Sequence, residues 1–218
     1  MRLTKFEHAA LLLEEDGKKL FLDPGNMTTA LTDTEDAVAV VITHEHADHW
    51  TPAQLERILD RSPDAPIFGT AAVVDAIRAA LPEANAIAVR AGDEHTAGPF
   101  TLRFYGEKHA VIHRSIPIID NVGVLVNGEL YYGGDTLVPE PALVGEVNVL
   151  AVPAGAPWLL IGDVIDYVIS MKPRRTFATH DMGLSQWGQN MASDRIRSAT
   201  EIGGGEFIDL EPFDSYDV

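Results

Sequence analysis

A chain of 218 residues that is 46% hydrophobic can bury one substantial core, and its 33 acidic against 16 basic residues leave a net charge of −17. That balance argues against nucleic acid as a partner, because such binders draw most of their affinity from neutralising phosphates, and no basic cluster exceeds Lys172-Pro173-Arg174-Arg175. No apolar run approaches the roughly 18 residues of a membrane helix, no signal-type segment follows the first seven residues, and the chain has no cysteine, so the expectation is a cytoplasmic protein with no membrane partner.

Strand patterns over 2–7, 9–14, 18–22 and 37–42 open the chain. A helix over 52–59 carries Pro52 in its first turn, where the missing N–H costs nothing, and a second over 71–81 has an apolar period near 3.6. Short strands are expected near 66–69, 86–90, 100–105, 121–126, 129–133 and 147–152. The last third reads as a helix over 161–171, a strand over 175–179, a helix over 190–200 and a strand over 206–210. Strands first, then mixed helix and strand with no low-complexity linker, predict a layered α/β architecture in a single domain over 1–218. Residues 209–218 are acidic and are expected to fray.

The densest chemistry follows the strand at 37–42, in Thr43-His44-Glu45-His46-Ala47-Asp48-His49. Residues two apart in extended backbone point the same way, so His44 and His46 can converge on one ion while the chain turns and aims Asp48 and His49 at a second position. Neutral imidazole and carboxylate suit zinc, iron, manganese or cobalt in the divalent state. Four ligands do not complete two sites. Three further residues follow strand patterns of their own and so belong on the same rim: His109 beyond 100–105, Asp135 in Gly133-Gly134-Asp135, and His180 beyond 175–179.

The succession His44/His46/Asp48/His49, His109, Asp135, His180 resembles the metallo-β-lactamase-fold hydrolases over nearly the whole chain, and Glu7-His8-Ala9 and Phe21-Leu22-Asp23-Pro24-Gly25 look like that superfamily's opening strands; within it, His8-Ala9 and Pro157-Trp158 look most like the branch containing ascorbate-6-phosphate lactonase and N-acyl-phosphatidylethanolamine phospholipase D. The resemblance implies a four-layer αββα sandwich, two mixed sheets flanked by helices, with two divalent ions on one edge. It implies His44, His46 and His109 at metal 1, Asp48, His49 and His180 at metal 2, and Asp135 bridging both. Zinc is the first expectation, with manganese or iron the others. Two divalent ions against two carboxylates and a hydroxide leave a positive centre, suited to hydroxide attack on a small ester, lactone, amide or phosphodiester without a Ser or Cys nucleophile. Asp135 would set the metal spacing and receive or guide the proton.

Around that set, His113 is a candidate for substrate binding or acid catalysis, and Asp23 and Asp181 for orienting ligand imidazoles. His8, placed on the opening strand, would touch the site or lie hydrogen-bonded in the core, Trp158 would line the pocket or pack, and His95 would be solvated. Arg114 or Lys108 would stand near a single phosphate, and the loops 24–36, 106–120, 153–160 and 181–189 would frame the cleft for a small-molecule substrate. Two other function classes stay open: a mononuclear iron oxidoreductase of the persulfide dioxygenase kind, which Asp48, His49 and His180 disfavour, and a non-catalytic metal-binding protein. The oligomeric state is not legible.

Overall fold

A computed structural model describes residues 1–106 and 108–218. Two seven-stranded mixed sheets face each other across a layer of aliphatic and aromatic side chains. The first holds β1 (Arg2–Lys5), β2 (Leu11–Glu15), β3 (Lys18–Leu22), β4 (Ala37–Ile42), β5 (Ile67–Gly69) and β6 (Ala86–Ala88), with α1 (Pro52–Leu59) and α2 (Ala71–Ala80) on its outer face. The second holds β7 (Glu94–Ala97), β8 (Phe100–Tyr105), β9 (Gly123–Val126), β10 (Leu130–Tyr132), β11 (Val149–Pro153), β12 (Arg175–Thr179) and β13 (Glu206–Phe207), covered by α3 (Ile161–Met171) and α4 (Gln186–Ile202). The expected αββα sandwich is therefore the observed one. Both sheets run antiparallel in their early strands and parallel in their later ones, β3 to β6 and β10 to β13.

Local chemistry sets the helix starts. Thr51 accepts from the Gln54 N–H at 3.2 Å with Pro52 next in line, and Thr70 accepts from the Val73 N–H at 3.3 Å. The last helix begins at Gln186, four residues before the expected start, because the Ser185 hydroxyl caps the Gly188 N–H at 3.3 Å. Buried Ala192, Ile196 and Ala199 then pack the helix on the second sheet.

Two segments depart from expectation. Residues 94–97 form β7 against β8, and His95 lies between aromatic rings, 4.8 Å from Phe68 and 6.1 Å from Phe104, so it is not simply solvated. Residues 209–218 do not fray: Ser215–Asp217 is a further strand, β14, antiparallel to β1 with Leu3 opposite Tyr216. The outer edge of β1 would otherwise leave a row of backbone groups unpaired. The Phe213 N–H adds a bond to the Lys5 carbonyl at 2.6 Å, and Phe6 and Phe213 stack edge to face at 5.7 Å, so backbone and apolar contacts outweigh the acidity of the segment. No described helix is long and apolar enough to cross a membrane.

Candidate metal centre

Loops leaving β4, β8, β10 and β12 deliver the expected residues to one edge of the sandwich. His44, His49, His109, Asp135 and His180 are buried, and His46 and Asp48 half-buried. Their ligand atoms fall into two groups, His44, His46, His109 and Asp135 in one and His8, Asp48, His49 and His180 in the other, with the atoms of each group within 4.8 Å of one another. Asp135 lies between the groups: its Oδ2 is 3.3 Å from His109 Nε2, 3.2 Å from His180 Nε2 and 3.9 Å from His44 Nε2, and its Oδ1 is 3.2 Å from His49 Nε2. All seven predicted ligands are thus brought together.

The opposite ring nitrogens fix which atoms face this space. Carbonyl oxygens only accept, so His109 Nδ1 donates to Ala110 O at 2.6 Å and His180 Nδ1 to Gly155 O at 2.8 Å, leaving both Nε2 atoms unprotonated in the neutral imidazoles. His49 Nδ1 donates to the Asp23 carboxylate at 2.6 Å. Asp23, wholly buried, also accepts from the Thr43 N–H at 2.8 Å, the Thr43 hydroxyl at 2.6 Å and the Tyr132 hydroxyl at 2.8 Å. Having given its proton to Asp23, the Thr43 hydroxyl can accept from His44 Nδ1 at 3.0 Å, so Asp23 orients one ligand directly and a second through Thr43. His44 Nε2 and His46 Nδ1 lie 3.1 Å apart, on the side of the site nearest His109.

A donor set of this kind can be tested for a metal by asking which buried atoms lack other partners. His49 Nε2, His109 Nε2, His180 Nε2 and Asp135 Oδ1 are buried with no hydrogen-bond partner of acceptable geometry among the described residues. Such atoms are costly to bury unsatisfied, and here they converge. Imidazole nitrogens and a carboxylate oxygen are what divalent zinc, manganese or iron accept, so the residues fit the ions the spacing implies.

Electrostatics divide the histidines. Burial holds His44, His46 and His8 below their ordinary pKa. Burial also opposes the charged forms of His49 and His180, but Asp135 and Asp23 carry His49 well above the ordinary value, and Asp135 and Asp48 raise His180 to about 9. In return, Asp48 and Asp135 lie below the usual carboxylate range despite burial.

Backbone geometry holds the ligand loops close. A Cβ on Gly25 would lie 1.8 Å from the Asp48 carbonyl oxygen and 2.7 Å from His49 N, so the β3 exit and the ligand turn touch through backbone alone. Gly134 has φ +65°, and a side chain there would strike Asn121 Oδ1 and Thr43. Asn121 meanwhile accepts from the Asp135 N–H at 3.1 Å and donates to Gly133 O at 2.8 Å.

Other expectations sort differently. His8 sits in the turn between β1 and β2 at φ +60°, not on a strand. Its Nδ1 accepts from the Met182 N–H at 3.3 Å, which leaves the proton on Nε2, 3.2 Å from Asp48 Oδ2; neutral His8 therefore steadies Asp48. Asp181 does not orient an imidazole: its carboxylate pairs at 2.8 Å with Lys5, whose side chain is only 1% exposed. Trp158 does line the site, its indole N–H donating to Asp135 Oδ2 at 3.2 Å and its ring standing edge-on to His109 and His180. His113 is exposed, its Nδ1 accepting from the Ser115 hydroxyl at 2.7 Å, and it belongs to neither ligand group; Arg114 is exposed and Lys108 pairs with Asp120. Thr43, Tyr132, Asn121 and Lys5 escaped the sequence reading, although a lysine at an inward phase of β1 was a readable signal.

A ββ sandwich sheathed by helices, with His and Asp on loops at one edge, defines the metallo-β-lactamase fold. The chain belongs to the beta-lactamase superfamily: the model of the Beta-lactamase superfamily domain matches residues 2–180. It is 36% identical over 186 residues to Protein Rv0786c of Mycobacterium tuberculosis, covering 83% of this chain and 84% of that one. It is 30% identical over 162 residues to a UPF0173 metal-dependent hydrolase of Aeropyrum pernix, covering 67% and 66%. Among solved structures it is similar to Igni18, a metallo hydrolase from Ignicoccus hospitalis, with TM-score 0.73, 19% identity and coverage of 100% and 98%.

Proposed function

We propose that this protein, like its UPF0173 relative of Aeropyrum pernix a metal-dependent hydrolase, binds two divalent ions and hydrolyses a small ester, lactone, amide or phosphodiester. The observation that supports this reading most is the convergence of four buried, otherwise unpartnered ligand atoms, His49 Nε2, His109 Nε2, His180 Nε2 and Asp135 Oδ1. His44, His46 and His109 would hold one ion and Asp48, His49 and His180 the other, with Asp135 reaching both; zinc is the first candidate, then manganese or iron. The ions would supply Lewis acidity and lower the pKa of a water towards neutrality.

The chain's own groups do the rest. Asp23 locks His49 and, through Thr43, His44, so neither ring turns as charge builds nearby. Asp135, set between the groups, accepts the proton shed by the attacking water. His113, exposed with its Nδ1 engaged by Ser115, is the candidate for binding the substrate or, as the imidazolium, for protonating the leaving group. The net charge of −17 and the buried carboxylates fit a small substrate better than a polyanion.

The test is metal analysis with turnover. Protein saturated with zinc, manganese or iron should hold about two ions per chain, His109→Ala and His180→Ala should each lose metal and rate, and His113→Ala should keep metal while losing about 10²-fold or more in rate. A plateau at one ion with full activity would remove the two-metal reading.

A further inference from the structure

Beside His180 lies a cavity of about 380 Å³ whose character changes abruptly from floor to wall. His8, Asp48 and His180 form the floor; Met27, Pro157 and Leu184 lead the wall, and no lysine or arginine lines it among the described residues. The wall is built in place: Leu184 lies over Gly155 so closely that a Cβ there would come within 2.5 Å of its side chain. Met27, 44% exposed, stands at the open side. A separate cavity of about 570 Å³ lies against His109 and Trp158 and differs in kind, carrying Lys108, Asp163 and Asp166.

We infer that the Met27–Leu184 cavity receives an uncharged, apolar acyl substituent, so that the site acts on a neutral carbonyl ester, lactone or amide. This rests on the hydrolase reading above and narrows it. Two observations favour it over an anionic substituent. The wall offers an ionised group no lysine or arginine to pair with among the described residues, whereas a hydrocarbon chain meets side chains of its own kind there. Asp48 and His180 line the same cavity, so a chain seated in it places the attached carbonyl beside that ligand group.

The reaction balances as ordinary hydrolysis: one water is consumed, the acyl C–O bond breaks, and a p-nitrophenyl ester yields one carboxylic acid and one nitrophenol. On zinc-loaded protein, kcat/KM for p-nitrophenyl acetate, butyrate and hexanoate should rise roughly fourfold per buried methylene until the cavity is full. The ester of a monoanionic dicarboxylate of matching length should react at least tenfold more slowly. Met27→Arg, at an exposed position, should reverse that preference, and Leu184→Trp should abolish the gain with chain length. The same variants are read independently of catalysis by ligand-observed NMR with propanol, hexanol and octanol, whose affinity should rise with length in the wild type and flatten in Leu184→Trp. Rates and affinities indifferent to chain length, or a Met27→Arg protein with unchanged charge preference, would overturn the inference. Length-dependent alcohol binding with no ester turnover would sustain the cavity assignment but overturn the acyl-substrate inference, and the hydrolase reading would fall with it only if bis-p-nitrophenyl phosphate were also left uncleaved.

Discussion

Gly25→Ala offers a severe test because it removes no ligand and adds only one methyl group. Its Cβ would sit 1.8 Å from the Asp48 carbonyl oxygen, 2.1 Å from the Asp48 carbonyl carbon and 2.7 Å from His49 N. Non-bonded contacts of this kind need about 3 Å or more, so the ligand turn must retreat by roughly 1 Å, several times the ~0.2 Å tolerance of metal–ligand bonds. The Asn26 N–H to Ala47 O bond of 2.9 Å, which joins the same two segments, would stretch as well. The displaced residues are Asp48 and His49, so the variant should retain the His44/His46/His109 group and lose the ion of the other. Hydrolysis should fall about 100-fold, the scale of a 1 Å misplacement. Metal content after a fixed chelator challenge, with circular dichroism to confirm folding, reads this out. Gly162→Ala is the control: nothing lies within 4 Å of its Cβ, and a helical glycine replaced by alanine gains up to about 1 kcal/mol. A Gly25→Ala protein with both ions held at wild-type affinity would refute the argument that backbone contact places Asp48 and His49.

Asp135→Ala should weaken metal binding in both groups and abolish hydrolysis, whereas His95→Ala should leave metal content unchanged and cost about 0.5–1.5 kcal/mol in thermal unfolding, because the ring packs between Phe68 and Phe104. Trp158→Phe keeps an aromatic ring but removes the N–H bonded to Asp135, so metal content should persist while the pH profile of hydrolysis moves; in the wild type, metal titration should change indole emission. The chelator-stripped protein should lose stability as pH rises from 6.5 through about 9. His180 is raised from 6.5 to about 9 and His49 is raised too, so their stabilisation is complete below 6.5 and is lost on deprotonation. Asp48 and Asp135 are depressed below 3.8 and contribute unchanged across that window, and melting curves at constant ionic strength check the direction. A flat profile would dismiss the charge pairing assigned to the metal-free site.

The parts of this fold that could be read from sequence were those where one physical signal dominated. The run Ala37–Ile42 is buried on both faces and leads into four chemically matched side chains, so strand and ligands announce each other. His109, Asp135 and His180 were legible because each lies just beyond a strand pattern of its own. Pairings decided at long range were not. β14 exists because the edge of β1 needs a partner, and nothing within Ser215-Tyr216-Asp217 says so. Asp181 stands beside a ligand in sequence, yet its carboxylate turns to Lys5, 176 positions away, because a buried ammonium needs compensation more than an imidazole already held by a carbonyl. His8, for which a site contact and a core role were equally open, lies beside Asp48 on a turn and not on the expected strand, since a left-handed turn residue is hidden in a strand-like pattern.

Neither ligand group is owned by a single sheet. His44 and His46 leave the first sheet to meet His109 and Asp135 from the second, and His8, Asp48 and His49 from the first wait for His180 from the second. On a ribosome, the His-rich loop after β4 therefore emerges with two of the four residues of one group and three of the four of the other in place, and His180 closes the last of them. Any ion that the nascent loop catches earlier is held by incomplete ligation and is free to exchange. Metal selection thus falls to the stage at which β12 pairs with β11 and the two sheets clasp the same pair of sites.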